Sequence, residues 1–214
     1  MDVLSLTPKQ EQCKIFFKTR KGKEKMNTVQ YNKGKNISPV AFMFACPGQK
    51  EEEAGRVVAG ATGKNLDRLL SILSRSEKEE IRNLFPSSDR YDYLITNSSN
   101  IIHYPALDSR SLPSKMEYSK EENMGRLAIE LSDAKFVIAF GKEAKDASLM
   151  LQRYFRRFLL PSPSFILSIP HLSFLSLNQI SEDKEGNKIE KGDPKGTEKR
   201  LEVVAEKISL LLLS

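Results

Sequence analysis

The run Val40-Ala-Phe-Met-Phe-Ala-Cys46 breaks at Pro47-Gly48, passes Glu51-Glu52-Glu53, and continues through Gly55-Arg56, Gly60 and Gly63 into a helical pattern. An apolar run cut off in this way is a buried strand opening onto a loop. Glycine and proline there let the backbone approach a ligand closely, and open α/β sheets carry their sites at the carboxyl ends of strands. Chemistry is therefore expected immediately after residue 46.

Further along, Leu66, Leu69, Leu70 and Leu73 recur at helical spacing over residues 65–73, and Ser76-x-x-Glu79 has the form of a capping box opening a second helix. Residues 91–96 form a second strand ending in Asn97-Ser-Ser-Asn100, and a long irregular stretch runs through Leu112-Pro113 to a helix over 124–131. Residues 135–140 are a third strand, Gly141-Lys-Glu-Ala144 starts a helix towards Arg157, and 165–169 are a fourth strand ending in Pro170-His171. A last helix is expected over 198–213. Strands alternating with helices imply a three-layer α/β/α sandwich around a mainly parallel four-stranded sheet, because right-handed crossovers place helices on both faces. One domain over residues 1–214 is expected. A short helix should begin at Thr7-Pro8, a basic arm should span 18–36, and the charged, turn-rich segment 181–196 should be a surface insertion.

A formal net charge of +6 favours a polyanionic partner. Cys13 and Cys46 are the only cysteines, too few for a four-thiolate metal site, and no apolar stretch approaches a membrane span. A soluble protein of the reducing cytoplasm is expected, monomeric and without metal or other cofactor.

Three strand ends carry polar residues: Cys46-Pro-Gly48 with its acidic triplet, Thr96-Asn97, and His171-Leu-Ser-Phe-Leu-Ser176. In a parallel sheet they cluster along one edge. Asn97 suits the edge of a nucleobase, since its amide donates and accepts at once; alternatively it serves a cap or an Asx turn. His171 either stabilises a departing anion or satisfies a backbone carbonyl.

These residues resemble the uracil-DNA glycosylase superfamily over about residues 38–213. Pro47-Gly48-x-x-Glu51-Glu52-x-x-Gly55-Arg56-x-x-x-Gly60-x-x-Gly63 is similar to PGxxEDxxGRPFVGxAG of its thermostable branch. His171-Leu-Ser-Phe-Leu-Ser176 is similar to HPSPLS of another branch, and Thr96-Asn97 and Gly141-Lys-Glu-Ala144 look like its TN and GKEA pieces. The resemblance implies that Asn97 hydrogen-bonds a flipped base, that His171 steadies negative charge on the leaving base, and that Leu175 wedges into the duplex. Cys46, Pro47, Gly48 and Val58 would line the base. Ser173, Ser176, Lys142 and Lys64 would contact DNA, Lys64 at a helix start where free amides favour phosphate. For Leu175 and its neighbours Phe174 and Leu177 the alternative is packing of the loop onto the core.

This chain also departs from the family pattern. Ala45 and Cys46 stand where relatives often carry an Asp, Asn or Glu that positions water, and Val58 stands where an aromatic stacks on uracil. Leu172 replaces the second residue of HPS, and the iron–sulfur cysteines of the thermostable branch are absent. A shifted carboxylate, Glu51, Glu52 or Glu53, with Glu52 first, would then orient water, unless the triplet is only a solvated turn. The implied activity is that of a monofunctional glycosylase acting on a modified pyrimidine, such as a modified cytosine of phage DNA. Plain uracil repair and non-catalytic binding of altered DNA are the alternatives. Nucleotide hydrolysis fits poorly, because Val58 and Asn65 occupy the Gly and Ser/Thr positions of a phosphate-binding loop.

Overall fold

Every residue of β1 (Val40–Phe44) is buried, as an uninterrupted apolar strand covered on both faces requires. It pairs in parallel with β2 (Leu94–Asn97) and with β3 (Phe136–Phe140), and β3 pairs in parallel with β4 (Phe165–Ile169). The strand order is β2-β1-β3-β4. The computed structural model describes residues 29, 31–160 and 162–214. Between β1 and β2 lie α1 (Gln49–Ala54), α2 (Ala61–Leu73) and α3 (Glu79–Leu84). The helices α4 (Pro105–Asp108), α5 (Lys115–Ser119) and α6 (Glu121–Glu130) connect β2 to β3. Helix α7 (Lys142–Phe158) precedes β4, and α8 (Phe174–Leu177) and α9 (Gly196–Leu213) follow it.

Helices cover both faces, giving the expected three layers. Leu66, Leu69, Leu70 and Leu73 of α2, with Leu201, Val204 and Ile208 of α9, pack against Phe42, Phe44, Ile95 and Phe140. Met124 and Leu127 of α6, with Ala147, Leu151 and Phe155 of α7, pack against Ala41, Met43, Val137 and Ala139. Each large apolar side chain so buried contributes about 1.5–3 kcal/mol.

Several local expectations are corrected. Helix α2 begins at Ala61 rather than residue 65. The capping box at Ser76 does not form: α3 has Lys78 as its N-cap, and Ser76 Oγ accepts instead from the Lys78 amide at 3.3 Å. The reciprocal pair occurs at α5, where Ser114 Oγ accepts from the Glu117 amide at 3.3 Å and Glu117 Oε2 from the Ser114 amide at 2.6 Å. Tyr91 lies in a 3₁₀ turn, not in β2, because the Asp89 side chain caps that turn by accepting from the Tyr91 amide at 2.9 Å. Most of the expected basic arm, the helix at Thr7-Pro8 and Cys13 lie outside the described residues. The arm's described end is not free. Asn32 exchanges two 2.8 Å backbone hydrogen bonds with Ile95, and Lys35 pairs with Asp92 at 2.6 Å, so this segment blunts the exposed edge of β2. Within 181–196 most residues are exposed, but Ile189 is buried.

Gly63 carries the close turn between the loop after α1 and helix α2. A Cβ there would lie 1.8 Å from the Val58 carbonyl oxygen, a backbone atom that cannot swing aside. Gly63→Ala should therefore cost about 1–3 kcal/mol, as overpacking does. Denaturant unfolding at the wild-type midpoint would contradict this.

Candidate active site

Phe44, the last residue of β1, is the floor on which the site is built. It is in register with Asn97 of β2, and its ring stacks on Phe140 of β3 with centroids 5.0 Å apart. The His171 ring stands edge-on to it, with centroids 6.1 Å apart and planes at 88°. Since Phe140 pairs with Ile169, Asn97 and the His171 loop flank one row across the sheet. Three interstrand spacings separate the ends of that row, about 14 Å. In the sequence Phe44 is marked only by its aromatic side chain near the end of the apolar run.

Asn97 is 4% exposed, and its side-chain amide makes no hydrogen bond among the described residues. Its backbone, in contrast, is clamped. Arg126 Nη2 donates to the Asn97 carbonyl at 2.8 Å, while Arg126 Nη1 reaches Thr96 Oγ1 at 3.2 Å and Glu130 Oε2 at 2.6 Å. The Ser98 amide donates to the Phe44 carbonyl at 2.7 Å, continuing the strand pairing past β2. An edge strand has carbonyls without sheet partners, and a guanidinium fork from α6 satisfies them here.

His171 is fixed as a particular tautomer. Its Nδ1 accepts the Ser173 amide at 3.1 Å, so in the neutral ring the proton sits on Nε2. Burial pushes its pKa below the usual 6.5, against an opposing pull from the Glu143 charge. Gly141, at φ 91°, lets the backbone pass close: a Cβ there would come within 3.4 Å of His171 Cβ. The loop after His171 is anchored by fully buried Leu172, whose carbonyl accepts from Asn65 Nδ2 at 2.8 Å. Asn65 thus ties α2 to this loop, a task far from magnesium binding. Ser173 caps α8, its Oγ accepting from the Ser176 amide at 3.3 Å. Leu177 is buried, Phe174 is half exposed, and Leu175 is 80% exposed at the tip.

The acidic triplet is mostly engaged in holding the loop. Glu51 accepts from the amides of Gly48, at 3.0 Å, and Gly60, at 3.3 Å, drawing both ends of the loop together. Glu52 Oε2 accepts from the Tyr104 hydroxyl at 2.7 Å, and Glu53 pairs with Lys50 at the surface. Val58, expected along the base, is only 4% exposed, lies in the core with Val57, and has φ 45°, a strained conformation for a β-branched residue. Lys64 and Lys142 are exposed at the first turns of α2 and α7.

Cys46 feels the charge of four carboxylates. Burial, and then the charges of Glu117, Glu143, Glu51 and Asp108, push its thiol up to about 12, so it stays neutral. The segment after β2 supplies two of those acids and a histidine that sequence reasoning passed over. His103 is 2% exposed, with Nδ1 2.6 Å from Asp108 Oδ2 and Nε2 3.4 Å from Glu117 Oε2. Arg110 bridges the same two acids, and the His103 amide donates to the Pro47 carbonyl at 3.0 Å. This cluster presses the segment onto the Pro47 turn. Among the described residues no group of three or more His, Cys, Asp or Glu is placed to hold a metal ion, and no helix is long and apolar enough to cross a membrane.

The family model of the uracil DNA glycosylase superfamily matches residues 38–189, more than half of the chain. The chain belongs to that superfamily. No curated protein matches it. The superfamily acts on DNA, and the matched range includes Pro47, Asn97 and His171.

The His171 environment makes a pH prediction. The unfolded imidazole takes a proton near pH 6.5 that the folded one refuses until lower pH, so stability should fall as pH drops below about 6.5. NMR titration should find a His171 midpoint below 6.5, with Nδ1 unprotonated at neutral pH. A midpoint above 6.5 would contradict the arrangement.

Proposed function

We propose that this chain is a monofunctional DNA glycosylase. It flips a modified pyrimidine out of DNA and hydrolyses its bond to deoxyribose, leaving an abasic site. The observation that carries this is Asn97: a side-chain amide without a partner among the described residues, its backbone clamped level with Phe44, while neutral His171 stands edge-on to that same ring. A side-chain amide that no protein group engages can pair with a ligand without first giving up a partner. The amide offers one donor and one acceptor, the complement of a pyrimidine edge.

The chemistry follows from the surroundings. Extruding a base costs a few kcal/mol in stacking and pairing, which exposed Leu175 offsets by filling the gap in the stack. Ser173, Ser176, Lys64 and Lys142 hold the phosphates on either side. As the glycosidic bond lengthens, positive charge grows on the sugar and negative charge on the base. His171 Nε2–H faces the developing anion, and the carboxylates around Cys46 supply a field that favours the cation. Every described lysine except Lys199 is exposed, and none is buried as an amine nucleophile for strand scission would be. All the residues invoked lie on one chain, and the active unit is taken to be a monomer in the cytoplasm.

The base is proposed to be a modified cytosine, with a role in defence against phage DNA rather than in repair. Support comes from the small residues Cys46, Pro47 and Gly48 at the β1 end and from Val58 turning into the core, which leaves no aromatic from that position over the base. Glu51 and Glu52 hold the loop and Tyr104 on this account.

Duplexes carrying deoxyuridine or 5-hydroxymethyldeoxycytidine, treated with protein and then alkali, test the proposal. The wild type should produce alkali-labile sites, more in the modified-cytosine duplex. Asn97→Ala and His171→Ala should each lower the rate about 10²–10³-fold with DNA binding retained. Cleavage confined to uracil would make it a repair enzyme; binding without cleavage would make it a reader of altered DNA. Separately, Leu175→Ala should slow release from duplex far more than from single-stranded DNA, where no stack has to be filled. Equal effects on both would remove Leu175 as a wedge.

A further inference from the structure

Hydrolysis needs a group to receive a proton from the attacking water. Position 46 offers only a neutral thiol and position 45 a methyl group. We infer that Glu143, reaching in from the end of the neighbouring strand β3, is the carboxylate that accepts this proton. The inference rests on the glycosylase reading above and names the missing base of that same site.

Four carboxylates exert their charge at Cys46, and three are already engaged. Glu51 holds the Gly48 and Gly60 amides. Asp108 holds His103 and Arg110, and Glu117 holds the Ser114 amide and Arg110. Glu143 is half-buried and makes no hydrogen bond or ion pair among the described residues.

Its location follows from the sheet. Met43 of β1 pairs with Ala139 of β3, and Phe140 of β3 pairs with Ile169 of β4. Strand β3 thus lies between the strand that leads to Cys46 and the strand that leads to His171, and Glu143 follows its end in the first turn of α7. Gly141, two residues before Glu143, packs against His171. The Glu143 charge is felt by His171 and by Cys46, which follow the two strands flanking β3. An acidic residue in the first turn of α7 also complements the helix dipole. That alone gives no reason for a half-buried carboxylate without a partner among the described residues.

In the step proposed, the C1′–N bond breaks with both electrons leaving on the base. The water oxygen forms the C1′–O bond and gives one proton to Glu143, which passes it on to the base anion or to solvent. Water and nucleotide become abasic DNA and free base, with no other reactant.

Glu143→Gln tests this in single-turnover release from whichever of the two duplexes the wild type cleaves. The rate should fall about 10²–10⁴-fold, the usual worth of a general base. Affinity for abasic product DNA should be unchanged or tighter, and Tm unchanged, since Glu143 makes no hydrogen bond or ion pair among the described residues. A rate within twofold of wild type would overturn the inference. So would a loss explained by weaker DNA binding or a lowered Tm, or a change in base preference at an unchanged rate. If the wild type releases base and the variant keeps pace, only the role of Glu143 fails. If the wild type releases none, the glycosylase reading fails first.

Discussion

Between β1 and β3 the chain reverses its direction across the sheet, leaving β1 for β2 on one flank and returning to β3 on the other. No crossover passes over the carboxyl ends of those two strands, so their loops diverge and leave a crevice. Parallel register sets what faces it. Phe44 is level with Asn97 and Phe140 with Ile169, so the amide and the imidazole loop flank one aromatic floor. The Pro47 turn, the His171 loop and the first turn of α7 are where they are because of that reversal.

Polar residues around the crevice divide by whether the protein already uses them. Glu51 clasps its loop, Asn65 holds the His171 loop, Arg126 holds the end of β2, and His103 with Asp108, Glu117 and Arg110 holds the segment over Pro47. Their hydrogen bonds go to backbone and to one another, with His103 Nε2 alone in that cluster making none, and their role is to fix geometry. Asn97 and Glu143 remain without side-chain partners among the described residues, and His171 keeps Nε2–H available. Preorganised groups of this second kind act on a substrate without first giving up a partner.

The strands and the main helices were legible because burial on both faces demands continuous apolar runs, as in β1, and because leucines at helical spacing mark α2. Asn97, His171 and exposed Leu175 were legible as polar or apolar residues out of place at strand ends. Other features depend on partners distant in sequence. Nothing in Glu51 announces that it would bind Gly60 rather than water, and Val58 turns inward because Gly63 packs on its carbonyl. Ser76 and Glu79 have the spacing of a capping box, yet the helix begins at Glu79, two residues too late for it. Arg126 clamps Asn97 across 29 residues, and helical periodicity carries no trace of that contact.

The central claim is that this crevice hydrolyses a glycosidic bond in DNA. The most direct measurement incubates the purified protein with genomic DNAs bearing different natural base modifications and identifies released bases by mass spectrometry. The account predicts a free modified pyrimidine from one class of DNA, matched by an equal number of abasic sites. Tight binding to the same DNAs with no free base would contradict it.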